Sequence, residues 1–241
     1  MNAKIDTAMI MAAGLGTRMR PLTEHKPKPL VEVAGKTLID HVLDKARAAG
    51  ISNVVVNVHY LPEQVEAHME RHASDLAVKI SDERELLMET GGGLVQAQHL
   101  IDAEPFYCLN SDAIWTDEGA QDGLSRLAHA WDGERMDGLL LLVPKERAFQ
   151  HPGKGDFFLD DEQRLVRRGE RDSAPYVYTG NQLISHRLLR EAPQEPFSTN
   201  KLWDRAISEG RLFGLVHIGD WYDIGSPQAI APTEAALAVH G

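Results

Sequence analysis

Residues 11–30 read MAAGLGTRMRPLTEHKPKPL and open on the last two residues of an apolar run, Ala8-Met9-Ile10-Met11-Ala12. The run predicts a buried strand over 7–12, which the glycines and prolines beyond it cannot continue. Gly14 and Gly16 remove side chains where a backbone must bend sharply or meet a ligand closely. Successive N–H groups in such a loop form a concavity for an anion or a base edge. Arg18 offers a planar fork of donors matched to phosphate oxygens. Lys28 is a movable point charge pinned between Pro27 and Pro29, which restrict the backbone and lower the entropy lost on ordering the loop. A pre-ordered cationic loop suits transfer of a nucleotidyl phosphate, where catalysis is mostly positioning and charge stabilisation. The stretch is not a P-loop, since no G-x-x-x-x-G-K-[ST] occurs. Nor is it the dinucleotide fingerprint, since position 19 holds Met19 rather than a third glycine.

Outward from this loop, strand and helix patterns alternate. The apolar spacing predicts helices over 37–49 and 62–72, and a third starting after three glycines, over 93–100. Strands are predicted over 53–58, 77–81 and 106–109, the last ending at Asn110-Ser111-Asp112. This β-α-β-α order implies an α/β fold with a mostly parallel sheet covered by helices on both faces. The second half is less regular. It predicts helices over 121–130, 201–209 and 227–240, strands over 138–143, 176–184 and 212–218, and a hairpin over 156–165 turning at Asp160-Asp161. No linker or repeat divides the chain. One domain is expected over 1–241, with a lobe of about 1–115 facing the nucleotide and one of about 116–241 facing the second substrate.

The net charge of -11 argues against nucleic acid as a partner. Yet residues 14–36 carry Arg18, Arg20, Lys26, Lys28 and Lys36 against only Glu24 and Glu32. A basic island in an acidic protein suits a small polyanion better than a polymer. No run of about 18 apolar residues exists to span a membrane. Residues 1–6 lack a signal peptide's apolar core, so a cytoplasmic location is expected. The single cysteine, Cys108, sits in an apolar run and reads as a small structural hydrophobe. The eleven histidines show no metal-ligand spacing, and no Ser-His-Asp or Cys-His arrangement stands out.

The loop resembles the signature of the sugar-1-phosphate nucleotidyltransferase family, G-x-G-T-R-[ML]-x-P-L-T with a P-K-P lysine after it. Here it is Gly14–Thr23 and Pro27-Lys28-Pro29. The likeness runs on through Gly35-Lys36-Thr37-Leu38-Ile39, with no proline at 37. Two further segments are similar to family motifs: Asn110-Ser111-Asp112, and Trp221-Tyr222-Asp223-Ile224-Gly225-Ser226-Pro227. The resemblance implies a Rossmann-like three-layer sandwich with a mixed, mostly parallel central sheet. It implies that Arg18 and Lys28 are catalytic, and that Asp112 and Asp223 hold Mg²⁺, an ion that takes hard oxygens from one or two carboxylates plus substrate phosphates. It places Ala12, Ala13, Gly14, Gly16 and Thr17 against the nucleotide. Glu89-Thr90-Gly91-Gly92-Gly93 would meet the base through its backbone, Thr90 and Gly91 foremost; the same residues also read as a plain helix start.

For the sugar phosphate the resemblance points to Asn110 and to Gly180 and Asn181 in Tyr178-Thr179-Gly180-Asn181, with an ordinary edge-strand glycine as the alternative. Lys201 is either a phosphate ligand or an exposed surface lysine. The loop His151–Asp156 either covers the sugar or is merely solvated. The implied reaction takes an NTP and a sugar 1-phosphate to an NDP-sugar and pyrophosphate. The attacking phosphate is already an anion, so no general base is required. The M-A-A-G-x-G-T-R-M-R-P-L-T, H-x-P-K-P-L and E-T-G-G-G segments are most similar to members that uridylylate N-acetylmuramate 1-phosphate in cell-wall sugar recycling. Guanylyl transfer to mannose or heptose 1-phosphate, and uridylyl or thymidylyl transfer to glucose 1-phosphate, are the alternatives. A monomer and a homodimer are both compatible with the sequence.

Overall fold

The structure, a computed structural model, describes residues 5–240; residues 1–4, on which part of the reading of the amino terminus rests, and residue 241 lie outside the described residues. The first half runs β1 (Thr7–Met11), β2 (Glu32–Val33), β3 (Lys36–Thr37), α1 (Leu38–Ala48), β4 (Asn53–Val58), α2 (Pro62–His72), β5 (Ala77–Asp82), α3 (Glu89–Ala97), β6 (Phe106–Asn110) and β7 (Ala113–Trp115). The second half comprises α4 (Gly123–Ala130), β8 (Gly138–Pro144), β9 (Ala148–Phe149), β10 (Phe157–Leu159), β11 (Leu165–Arg167), β12 (Tyr176–Ile184), α5 (Asn200–Ser208), β13 (Leu212–Val216), β14 (Trp221–Asp223) and α6 (Ile230–His240). Among the described residues no helix is long and apolar enough to cross a membrane.

Both halves contribute to one nine-stranded mixed sheet. Its main path is β11-β10-β12-β6-β1-β4-β5, with β8 paired to both β12 and β13. β1 is central and runs parallel to β4 and β6, while β12 is antiparallel to β6 and β8. The near-continuous apolar runs of the central strands are those of a sheet covered on both faces. On one face Ile10, Val54, Val56 and Leu109 pack with Ile39 and Leu43 of α1, Val65 and Met69 of α2 and Leu127 of α4. On the other, Met9, Val55 and Phe106 pack with Leu94 of α3 and Leu202 and Trp203 of α5. This is the expected three-layer α/β architecture. Cys108 is buried in that second cluster, and burial pushes its thiol pKa up to about 12.

Two departures from the sequence reading bear on function. The glycine cluster does not precede α3 but forms its first turns, because the helix starts at Glu89. In addition, β7 and β14 form a three-stranded sheet with β9, order β7-β14-β9, that the sequence does not reveal. A strand of three residues is too short to display alternation. This small sheet is what brings the two distant aspartate motifs together.

Candidate functional site

β1 and β6 end side by side, and their carboxyl ends open onto a cavity of about 410 Å³ lined by Ala13, Gly14, Asn57, Thr90, Asn110 and Asp112. It adjoins an outer cavity of about 350 Å³, lined by Gly16, Thr17, Arg18, Lys28 and Gly225 and sharing Gly14 and Asp112 with the first. An inner cavity of about 230 Å³, bordered by Tyr178, Gln182, Thr199 and Trp203, shares Thr90, Asn110 and Ser198 with it. Together they form one trough beyond the carboxyl ends of the strands, where open α/β sheets bind ligands.

The loop after β1 is held by specific contacts. Gly16 adopts φ +62°, and a Cβ there would sit 2.9 Å from Lys28 Cβ and 3.2 Å from Thr23 Cγ2. The position therefore requires glycine on both conformational and spatial grounds. The Thr23 hydroxyl donates to the Gly16 carbonyl at 2.8 Å, closing the loop over the Lys28 stem. Gly14, by contrast, has nothing within 4 Å of its missing Cβ, so its backbone is open to a ligand. Ala12 is buried, and its N–H donates to Asn57 Oδ1 at 2.7 Å. Asn57 Nδ2 in turn donates to Glu83 Oε1 at 2.7 Å, and Glu83 Oε2 accepts from the Met88 N–H at 3.0 Å. This buried chain ties the β1 loop to the entry of α3. Burial pushes the Glu83 pKa up, against the two hydrogen bonds that favour its ionised form. Sequence reasoning missed Asn57 and Glu83. The visible signal was an asparagine inside the valine strand Asn53–Val58.

The charged groups converge across the trough. Register pairs Asp223 of β14 with Ala113 of β7, the residue next to Asp112, so the two aspartate motifs lie side by side in the chain's fold although 111 positions separate them. Lys28 is largely buried and its Nζ donates to Asp112 Oδ2 at 2.8 Å. A Cβ on Gly225 would fall 3.0 Å from Arg18 Nη1 and 3.1 Å from Asp223 Oδ1. Glycine at 225 thus lets the guanidinium and the second carboxylate share one small space. The His151 ring meets Asp223 Oδ2 through Nδ1 at 3.3 Å and stands edge-on to Trp221. The loop carrying His151 therefore borders Asp223. Asp112 beside Lys28 and Asp223 near Arg18 offer hard carboxylate oxygens, the donor chemistry that suits a hard divalent cation.

The remaining sequence expectations divide. Thr90 and Asn110 line the trough. Gly91 does not; it is packed beneath Phe197, whose ring would lie 2.4 Å from a Cβ there, and its N–H already donates to the Phe197 carbonyl at 2.8 Å. Its missing side chain makes room for the 197–200 segment, which itself lines the inner cavity. Gly180 sits at the β12 irregularity with φ +86°, and the space of its Cβ is taken by the Asn110 side chain at 2.8 Å. The glycine thus admits Asn110, which in turn faces the trough. Asn181 is 1 % exposed, borders none of the three cavities, and its side chain has no hydrogen-bond partner in the protein. It lies on the same strand face as Leu183, away from Gln182, which does reach the inner cavity. Lys201 is exposed over the Phe197 ring and also outside the cavities. The side chains that the inner cavity gathers instead are Tyr178, Gln182, Asn200 and Trp203.

Residues 7–150 match the profile of the nucleotidyl transferase family. The chain is 44% identical over 96% of both sequences to the N-acetylmuramate alpha-1-phosphate uridylyltransferase of Caulobacter vibrioides. It is 30% identical over 92% of its length to a mannose-1-phosphate guanylyltransferase catalytic subunit beta of Dictyostelium discoideum, of which it spans 61%. In fold it is similar to an inositol-1-phosphate CTP transferase from T. maritima (TM-score 0.79, 16% identity, 99% and 97% of the chains covered). It is equally similar to a UDP-glucose pyrophosphorylase complexed with UDP-glucose (TM-score 0.79, 15% identity, 98% and 100% covered). With the glycine loop, the cationic pair and the two neighbouring aspartate motifs, the chain belongs to the nucleotidyl transferase family.

Proposed function

We propose that the protein transfers UMP from UTP to N-acetylmuramate α-1-phosphate, giving the UDP-sugar and pyrophosphate, as a step of cell-wall sugar recycling. The observation that carries a nucleotidyl transfer is the meeting of Lys28, Arg18, Asp112 and Asp223 at the glycine loop. The choice of uracil and of this sugar is supported by the 44% identical relative of the same length. The base lies on Ala13 and Gly14, and the sugar phosphate occupies the inner cavity beside Asn110 and Tyr178.

A phosphate oxygen of the sugar forms a bond to the α-phosphorus, and the bond to the bridging oxygen of the β-phosphate breaks. The electron pair leaves with pyrophosphate. Arg18, at the outer end of the trough, orients the leaving phosphates and takes up their growing charge. Lys28 passes from its Asp112 contact to the α-phosphate oxygens, already positioned by its buried stem. Asp112 and Asp223 would hold Mg²⁺, which supplies neutralisation of phosphate charge in the transition state. The test is a panel of NTPs with N-acetylmuramate α-1-phosphate, read by pyrophosphate release and chromatography of the product. UTP is expected to be preferred at least about tenfold. Preference for GTP with mannose 1-phosphate would replace this reading with that of the mannose-specific relatives.

A further inference from the structure

We propose that Asp40, His68 and His72 form a binding site for a divalent transition cation such as Zn²⁺, which fastens α1 to α2 away from the catalytic trough. Asp40 stands in the first turn of α1, and the histidines are four apart on α2, one turn above the other. Their rings stack at 4.2 Å with an interplanar angle of 6°, and His68 Nε2 meets Asp40 Oδ1 at 2.9 Å. One ligand atom from each of the three lies within 4.8 Å of the others. An ion at about 2.1 Å from each ligand in tetrahedral directions sets them about 3.4 Å apart. The Asp40–His68 edge is thus already closer than that spacing. His72 is exposed in the last turn of α2, so its ring is free to turn inward.

The carboxylate is oriented as ligating carboxylates are. Thr37 caps α1, and its hydroxyl donates to Asp40 Oδ2 at 2.7 Å, leaving Oδ1 directed at the imidazole. Two imidazoles with one carboxylate select a borderline cation over Mg²⁺ or Ca²⁺, which take oxygen ligands. None of the three residues lines the trough.

The experiment titrates Zn²⁺ against a chromophoric chelator, and Co²⁺ by its visible absorption, in the wild type, His72→Ala and Asp112→Asn. His72 is exposed, so its loss leaves folding and Mg²⁺-supported transferase activity intact. We expect one equivalent bound by the wild type, binding weakened at least about tenfold by His72→Ala, and no change with Asp112→Asn. Equal binding by wild type and His72→Ala, no binding by either, or loss of the equivalent with Asp112→Asn would each overturn the proposal.

Discussion

Replacing Glu83 by alanine removes the acceptor for two buried donors at once. Glu83 is 2 % exposed and accepts from Asn57 Nδ2 and from the Met88 N–H. A buried donor left without a partner costs about 1–3 kcal/mol, so two cost about 2–6 kcal/mol before the small cavity is counted. In a domain of this size each kcal/mol lowers Tm by about 2–4 °C, so a fall of about 4 °C or more is expected. The effect reaches the ligand as well. Asn57 freed from Glu83 no longer presents a fixed oxygen to the Ala12 N–H, and the loop bearing Gly14 loosens. The KM for the nucleotide should rise more than kcat falls, because the cationic pair is untouched. Glu83→Gln keeps one acceptor but turns an NH₂ toward a donor, so it should fall between wild type and alanine. A double-mutant cycle with Asn57→Ala should give a coupling of about 0.5–3 kcal/mol. If Glu83→Ala unfolds within about 2 °C of wild type with unchanged nucleotide KM, the tie between the β1 loop and α3 does not exist.

Arg18→Ala and Asp112→Ala should each lower kcat at least about 100-fold while circular dichroism stays native; turnover assays decide it. Gly16→Ala places a Cβ 2.9 Å from Lys28 Cβ at φ +62°, costing about 1–2 kcal/mol in backbone strain. Its loss of activity should exceed the few degrees lost in Tm, because the shift falls on the Lys28 stem. His217 is buried, and burial pulls its pKa below 6.5, outweighing its hydrogen bond with the Thr116 carbonyl. The unfolded chain then binds protons that the folded one refuses, so this group's contribution to stability is complete above pH 6.5. It declines as pH falls from there toward the folded pKa. NMR titration of the imidazole and denaturation between pH 7.5 and 5 measure both.

The central fold was legible because β1, β4 and β6 are covered on both faces and read as apolar runs, and because α1 and α2 bury periodic stripes. Gly14, Arg18 and Lys28 were legible in position because they sit in one loop whose spacing is fixed by glycine and proline, and Asp112 because it comes just after the apolar strand β6. Less legible was anything set by tertiary contact. The sequence suggests main-chain contact with the base at Gly91 and with the sugar at Gly180, but each glycine empties a space that another side chain, Phe197 or Asn110, fills. Asn181 comes after Gly180 at the strand irregularity, and the facing of a residue there cannot be counted from alternation. The pairing of β7 with β14 depends on two three-residue strands more than 100 positions apart, and local pattern carries no such information.

A crystal structure with the UDP-sugar product and Mg²⁺ decides whether the trough is the catalytic site. Uracil is expected against Ala13 and Gly14, the ion at about 2.0–2.1 Å from oxygens of both Asp112 and Asp223, and the sugar phosphate beside Asn110 and Tyr178. An ion held by only one of those aspartates, or a nucleotide seated outside the trough that Arg18 and Lys28 line, would contradict this arrangement.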